Sequence, residues 1–362
     1  MESDLPYIDP EVLASLKAVV IVGNKTNNDS DRAIVKNLVD PDNPFVISNA
    51  AYEGMSGYNG YPVVFGSNKT WETLSSVYSY TSDVTSTTIH ITRVKNAGTG
   101  LLFSYVKKDG ALTNIREIPA FRVTVKGLEG NSKFGYRYLA TEDATGETLV
   151  YLGNGTHELS KSFTPTEALL DLTRNAWVGI FITPMVEGEV VFDCDITIKV
   201  LPEYEGAYCL DGVDDSVNIP TTVGGKQVLM KVNWQKPPAL LYDQRASGSF
   251  AVLTTLEDDA VNPRIAYQAR NQNGKTYIDG IENNNIETYT LKDITHNITI
   301  ANSSLGGIIV PVIGCNTGKS SNFAKMSLYD FMLFDNISTD DKIKELNEYV
   351  GIEGNTEWRK TK

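Results

Sequence analysis

Cysteine, histidine and runs of basic residues are scarce in this chain of 362 residues, and each scarcity closes off a class of function. Three cysteines occur, Cys194, Cys209 and Cys315, with no C-x-x-C among them. An odd, sparse set of this kind is not a disulfide framework. All three lie in apolar, strand-like text, where cysteine acts as a small hydrophobe, with a single Cys194–Cys209 bridge as the alternative. The three histidines, His90, His157 and His296, stand in no H-x-H or H-E-x-x-H pattern, and each is read as solvated or at the edge of a core. Neither a G-x-S-x-G elbow nor a P-loop occurs, and no G-x-G-x-x-G follows a strand. Lys and Arg total 32 against 45 Asp and Glu, a net charge of -13. Phosphate contacts need a cationic footprint, so no nucleic-acid partner is expected. The acids are spread along the whole chain, which describes a self-repelling surface rather than an acidic tail. The apolar run Ala18–Val22 is too short for a membrane span. The opening Met-Glu-Ser-Asp is acidic, unlike the start of a signal peptide. The chain is therefore read as made and folded in a reducing cytoplasm.

What is present points to strands. Short alternating runs recur about every ten residues, the signature of sandwiches and barrels. In Val191–Val200, Phe192, Cys194, Ile196, Ile198 and Val200 alternate with Asp193, Asp195, Thr197 and Lys199. With a side-chain period of two, that is one buried and one wet face. Similar patterns predict strands over 88–94, 101–105, 121–125, 227–234 and 250–256. Asn-Gly at 59–60, 154–155 and 273–274 supplies residues that tolerate φ > 0 in tight hairpins. The run Phe331–Phe334 is apolar on both faces, which predicts a central strand covered on both sides. Helix is expected over 340–349, behind an S-x-x-D capping box of Ser338 and Asp341. Shorter helices are expected over 31–38 and 11–17.

The fold class expected is all-β. An N-terminal arm covers 1–18, and Pro6 and Pro10 disfavour helix there. Residues 19–67 are too few to fold alone and are expected to join 204–350 in one discontinuous domain. Residues 70–203 then form an inserted β-sandwich, Pro202–Gly206 a linker, and 351–362 a C-terminal tail.

Two site readings follow. Asp211-Gly-Val-Asp214-Asp215 places three carboxylates in five residues. Hard oxygen donors around a glycine turn suit calcium; the alternative is a turn that the aspartates cap themselves. Asp258-Asp259 and Asp340-Asp341 are weaker pairs of the same kind. The loop Tyr52–Tyr61 offers Tyr52, Tyr58 and Tyr61 as sugar-stacking rings, or as structural residues of a packed loop. Glu187 and Glu189 have the spacing of paired carboxylates, but their context reads as a hairpin rather than as a glycosidase strand. Trp71, Trp177 and Trp234 are expected in cores or over sheets. No catalytic residue and no cofactor other than calcium are expected.

Two passages carry a resemblance. Leu210-Asp-Gly-Val-Asp-Asp-Ser-Val217, with Met326–Phe334 and the Ser-Thr-Asp-Asp helix start after it, resembles the opening strand, closing strand and terminal helix of laminin-G-like, concanavalin-type jelly rolls. Lys25–Arg32, Lys36–Leu38, Ser48-Asn49 and Ser56–Tyr61, together with Cys194–Tyr204, resemble laminin-G-like proteins of gut Bacteroidales and their tailed phages, including crAss-like phages. The resemblance implies a discontinuous jelly roll with an inserted β domain. It implies a non-enzymatic virion surface protein, such as a head fibre, decoration protein or tail appendage, assembled in the bacterial cytoplasm. Expected partners are other virion subunits in a homo-oligomer and a host-surface glycan, with Leu5, Tyr7 and Ile8 of the arm as assembly contacts. A carbohydrate-binding adhesin and a glycoside hydrolase are the competing readings.

Overall fold

The computed structural model describes residues 9–22, 25–52, 55–60, 69–73, 79–84, 88–95, 102–107, 113–114, 120–128, 133–140, 148–159, 175–183, 195–220, 225–236, 239–243, 252–256, 264–267, 274–282, 295–301, 312–315, 319 and 323–351. The protein is all-β, with two short helices. It divides into two compact units: residues 1–60 with 204–362, and residues 61–203.

One strand organises the first unit. Lys325–Phe334 is paired along one edge with Gln227–Lys236. Its other edge is shared. Tyr208–Asp211 pairs with 325–328, and Leu16–Ile21 pairs with 330–334. Three distant parts of the chain thus meet on ten residues. Opposite the long strand, Lys231 faces Asp330 and Val232 faces Leu328, so Tyr329 is an extra residue, a β-bulge. An unbroken period of two would send Met326 and Leu328 to one face and Phe331 and Leu333 to the other. The extra residue resets the parity, and all four side chains enter one core. Lys17 does the same for the N-terminal strand. Leu16 and Val19 face outward, whereas Ala18, Val20 and Val22 face inward.

The first sheet runs in the order 281–282, 275–278, 295–301, 227–236, 325–334, 208–211, 57–58. The second runs 34–35, 45–48, 216–218, 312–313, 239–243, 252–256, 264–267. All the pairings are antiparallel. The two sheets share the inner core. Phe45 and Tyr242 of the second sheet lie with ring centroids 5.5 and 5.9 Å from that of Phe331 in the first. Outside the first sheet, Met332 and Phe334 pack with Val12 of the helix Pro10–Ala14 and with Leu346 and Val350 of the helix Asp340–Gly351. Phe331–Phe334 is apolar on both faces because both faces are covered.

The helices depart from expectation in four places. Residues 31–38 are not helical: 31–33 turn and Ile34–Val35 is a strand on Val46 and Phe45. The preceding Thr26 and Asp29 close a local turn through Thr26 N–H to Asp29 Oδ2 at 2.8 Å, and such side-chain bonds compete with helix. The helix expected over 11–17 is Pro10–Ala14, because Leu16 and Lys17 join the sheet. Pro10 does not force an extended chain. It opens this helix at its first turn, where a missing N–H costs nothing, behind the Asp9 cap. Residues 9–18 are therefore a helix and a strand edge of the first unit rather than part of an arm. The second helix is not capped by Ser338, whose N–H goes to Gln227 Oε1. Thr339 takes that role: its carbonyl accepts the Ile343 N–H at 2.9 Å.

The insertion leaves and returns at one clamp. Asn59 donates its N–H to Ala207 O, and its own carbonyl and side-chain oxygen accept the N–H groups of Tyr204 and Gly206. Asn59 and Gly60 both have positive φ, 68° and 50°. They direct the chain out of the sheet instead of closing a hairpin. Tyr204, expected in a linker, is buried. The second unit holds a five-stranded sheet, in the order 155–159, 121–126, 195–200, 88–95, 79–84, and a six-stranded one built on 148–152, 133–140, 175–183, 102–107 and 69–73, with 113–114 beside 175–183. Here Asn154-Gly155 joins strands of different sheets, again not a hairpin. Asn154 holds Leu128 by two bonds, 2.9 and 3.0 Å.

Because the clamp brings both ends of the insertion together, excising 61–203 and joining Gly60 to Tyr204 by a short Gly-rich link is expected to leave the first unit folded. Deleting residues 9–22 instead strips one edge and one face of the long strand. That variant is expected to show no cooperative urea transition, whereas the excised protein shows one.

Candidate functional site

The acidic loop lies where the chain crosses between the sheets of the first unit, after Tyr208–Asp211 and before Ser216–Asn218. Gly212 is required there. Its φ is +82°, and a Cβ would sit 3.0 Å from the Lys325 backbone nitrogen. The Val213 N–H bonds Asp211 Oδ1 at 2.7 Å, and the Asp211 N–H bonds Asp215 Oδ2 at 3.0 Å. Asn49 Nδ2 holds the Asp214 carbonyl at 3.2 Å. The loop therefore has the self-capped turn of the alternative reading. It also gathers the three carboxylates. One oxygen from each of Asp211, Asp214 and Asp215 lies within 4.8 Å of the others. Asp214 is exposed and Asp211 half-buried, but Asp215 is only 1% exposed. Burial raises the Asp215 carboxyl to about 6; the Asp211 N–H and the Ser56 hydroxyl oppose this, and the charges of Asp211 and Asp214 add to it.

Behind this loop stand three tyrosines. The Tyr58 and Tyr208 rings meet edge to face at 5.1 Å, and Tyr52 stacks on Tyr58 at 6.5 Å. Tyr58 is fixed from several sides: its N–H bonds Asn27 Oδ1 and its hydroxyl bonds Arg32 O, both at 2.7 Å. The Arg32 guanidinium lies 4.4 Å from the centre of the Tyr52 ring. Burial raises all three phenols. The sugar-stacking reading fails for Tyr58, which is 1% exposed and turned into the core with Tyr208. Tyr52 is half-buried, with Arg32 on its ring. Tyr61 lies outside the described residues, as do Leu5, Tyr7, Ile8, Glu187, Glu189, Asp258 and Asp259.

Several other titratable groups among the described residues brace the fold. His157 Nε2 lies 3.0 Å from Gly153 O. His296 Nδ1 lies 2.6 Å from Asp279 Oδ2, while Asp279 Oδ1 accepts the Asn297 N–H. These bonds tie the hairpin turn at Asp279-Gly280 to the neighbouring strand 295–301, and they hold the Asp279 carboxyl low despite its burial. Asp340 accepts from the Tyr277 hydroxyl at 2.7 Å and from Lys275 at 3.1 Å, which pins the helix start to the sheet and lowers its carboxyl. Cys209 is a buried thiol 3.1 Å from Ser327 Oγ rather than half of a bridge to Cys194. Trp234 is in the core. Sequence reading missed Ser56 and Tyr208 as neighbours of Asp215. No local pattern could have found them, because the loop and Ser56 are about 155 residues apart and meet only through the sheet.

No protein-family model matches the chain, and no curated protein matches it. Among solved structures, the Trypanosoma rangeli sialidase in complex with the inhibitor DANA is 10% identical with a TM-score of 0.25, over 75% of this chain and 62% of that one. PNGase F, a glycosylasparaginase from Flavobacterium meningosepticum, is 12% identical with a TM-score of 0.15, over 75% and 98%. The chain thus spans less than two thirds of the sialidase's length. Likenesses this low carry no argument about activity.

A buried carboxyl raised from 3.8 to about 6 has a defined linkage. Between those pH values the folded chain keeps a proton that the unfolded chain has lost, so this contribution is complete below 3.8 and lost as pH rises through 6. Asp215→Asn keeps an oxygen acceptor for the Asp211 N–H and removes the charge. In chelator, urea unfolding should show the variant more stable than the parent above pH 6, by about 1–3 kcal/mol. The gap should close below pH 3.8; a gap that is constant with pH would show that Asp215 is ordinary in its titration.

Proposed function

We propose that this chain is a non-enzymatic structural protein of a phage virion surface, a head fibre, decoration protein or tail appendage. Its first unit is a laminin-G-like, concanavalin-type jelly roll, and residues 61–203 are an inserted β-sandwich. The observation that carries this reading is the clamp at Asn59. The second unit enters between two paired strands, Gly57–Tyr58 and Tyr208–Asp211, without interrupting the core. That is the build of one module with another inserted into its chain. The two laminin-G-like passages support the fold, since 208–210 pairs with 326–328 in one unit, and the passages that resemble Bacteroidales phage proteins support the setting, with Ser48 of one of them on Ser216.

Residues 1–8 serve as the anchor in this reading, with the apolar Leu5, Tyr7 and Ile8 repeated around a symmetric oligomer so that small contacts add. The anchor ends at Asp9, where the chain is tied down. Lys342 pairs with both Asp9 and Glu11, at 3.1 and 2.8 Å.

Gold-labelled antibody raised against the chain is expected to decorate purified phage particles from infected Bacteroidales. Deleting residues 2–8 should remove the protein from particles and leave its thermal unfolding unchanged. Label confined to the surface of uninfected cells would replace this reading with a bacterial adhesin, and release of sugar from glycoside substrates by the purified chain would replace it with a hydrolase.

A further inference from the structure

We propose that the outward face of the five-stranded sheet in the second unit binds a carboxylated glycan. On a host surface such a glycan is the ligand that the virion reading calls for. Binding by the purified chain is measured without particles, so the site and that reading can fail separately.

Three strands build the face. Phe121, Val123 and Val125 are buried on the inner side, so the alternate residues of 121–126, and those beside them on 155–159 and 195–200, turn outward. Register sorts them into rows that cross the strands. Thr156, Thr124 and Thr197 stand side by side in one row, and Glu158, Arg122 and Lys199 in the next. Every member of the second row is exposed. In the first row Thr156 is exposed and the other two are half-buried, with Thr124 Oγ1 and Thr156 Oγ1 3.1 Å apart.

The second row points to an anion. Arg122 is the direct cross-strand partner of Lys199, and like charges placed opposite each other destabilise a sheet. Glu158 answers Arg122 through a single carboxylate oxygen, which accepts from Nε at 3.1 Å and from Nη2 at 2.6 Å. Among the described residues no ion pair involves Lys199, or Lys126 farther along the same face. A carboxylate seated between Arg122 and Lys199 removes the repulsion and gains charge-assisted hydrogen bonds.

The threonine row selects the rest of the ligand. Neighbouring strands lie about 4.8 Å apart, so its three hydroxyls repeat at close to the advance of one sugar in an extended polysaccharide. Each hydroxyl both donates and accepts, as sugar hydroxyls do. Neither row carries an aromatic or aliphatic anchor of the kind that dominates protein interfaces, and so few cations are a poor footprint for nucleic-acid phosphates. With a net charge of -13 the rest of the surface repels a polyanion, which confines binding to this face and makes it sensitive to salt.

The test titrates the full chain with oligogalacturonate, with its methyl ester as the uncharged control. Saturable binding is expected at low salt, weaker at high salt and absent with the ester. Lys199→Glu should weaken it by about tenfold or more. The same change sets an acid opposite Arg122, so the thermal midpoint should hold or rise, and the lost binding cannot be a folding defect. Thr124→Val keeps the branch at Cβ but removes a hydroxyl, and should weaken binding by about threefold to tenfold. Absence of binding by the parent, equal affinity in Lys199→Glu, or equal binding of the methyl ester or of an oligothymidylate would overturn the site. Self-association of the parent that Lys199→Glu abolishes would overturn it too, by giving the face to a second copy of the chain.

Discussion

The first unit depends on the completeness of pairing around Lys325–Phe334. A strand apolar on both faces is viable only if both faces and both edges are covered. Here Gln227–Lys236 covers one edge, and the other is divided between Tyr208–Asp211 and Leu16–Ile21. The inner face meets the second sheet and the outer face meets two helices. The discontinuity of the domain follows directly. The N-terminal segment is not an appendage but the only occupant of one half-edge among the described residues, so it must travel with the C-terminal segment however long the chain between them.

Parity is the second constraint. The extra residues at Tyr329 and Lys17 lie on strands that touch each other, and each rotates the following side chains by one face. Without the first, Phe331 and Leu333 would leave the core that Phe45 and Tyr242 enter from the opposite sheet. The same geometry places Tyr329 apart from that core, among Tyr204, Ala207 and Cys209 near the root of the insertion. One irregularity in one strand thus serves both the core and the point where the second unit departs.

The rim loop shows the opposite balance. Its turn is satisfied by its own side chains, yet it keeps a carboxylate oxygen and two phenol hydroxyls buried without partners. Elsewhere in this unit Asp279 with His296 and Asp340 with Tyr277 tie neighbouring elements together.

Much of this was legible in the sequence, because alternation and two-sided apolarity are local properties. The strands near 88–95, 102–107, 121–126 and 227–236, the all-β class and the central position of 331–334 all follow from periods of two and from one short apolar run. The thinness of residues 19–67 already implied a distant partner. Local signals misled where another part of the chain competed for the same residues. Ile34-Val35 had helical spacing but found a strand, Leu16 left its helix for the sheet, and Asn59-Gly60 turned outward rather than into a hairpin. Asp211, Asp214 and Asp215 could be named from their spacing alone. That Asp215 is buried, that Ser56 and Tyr208 surround it, and that Tyr58 has no open face were decided only when the first sheet brought residues about 150 positions apart into register, since burial depends on what arrives from elsewhere in the chain.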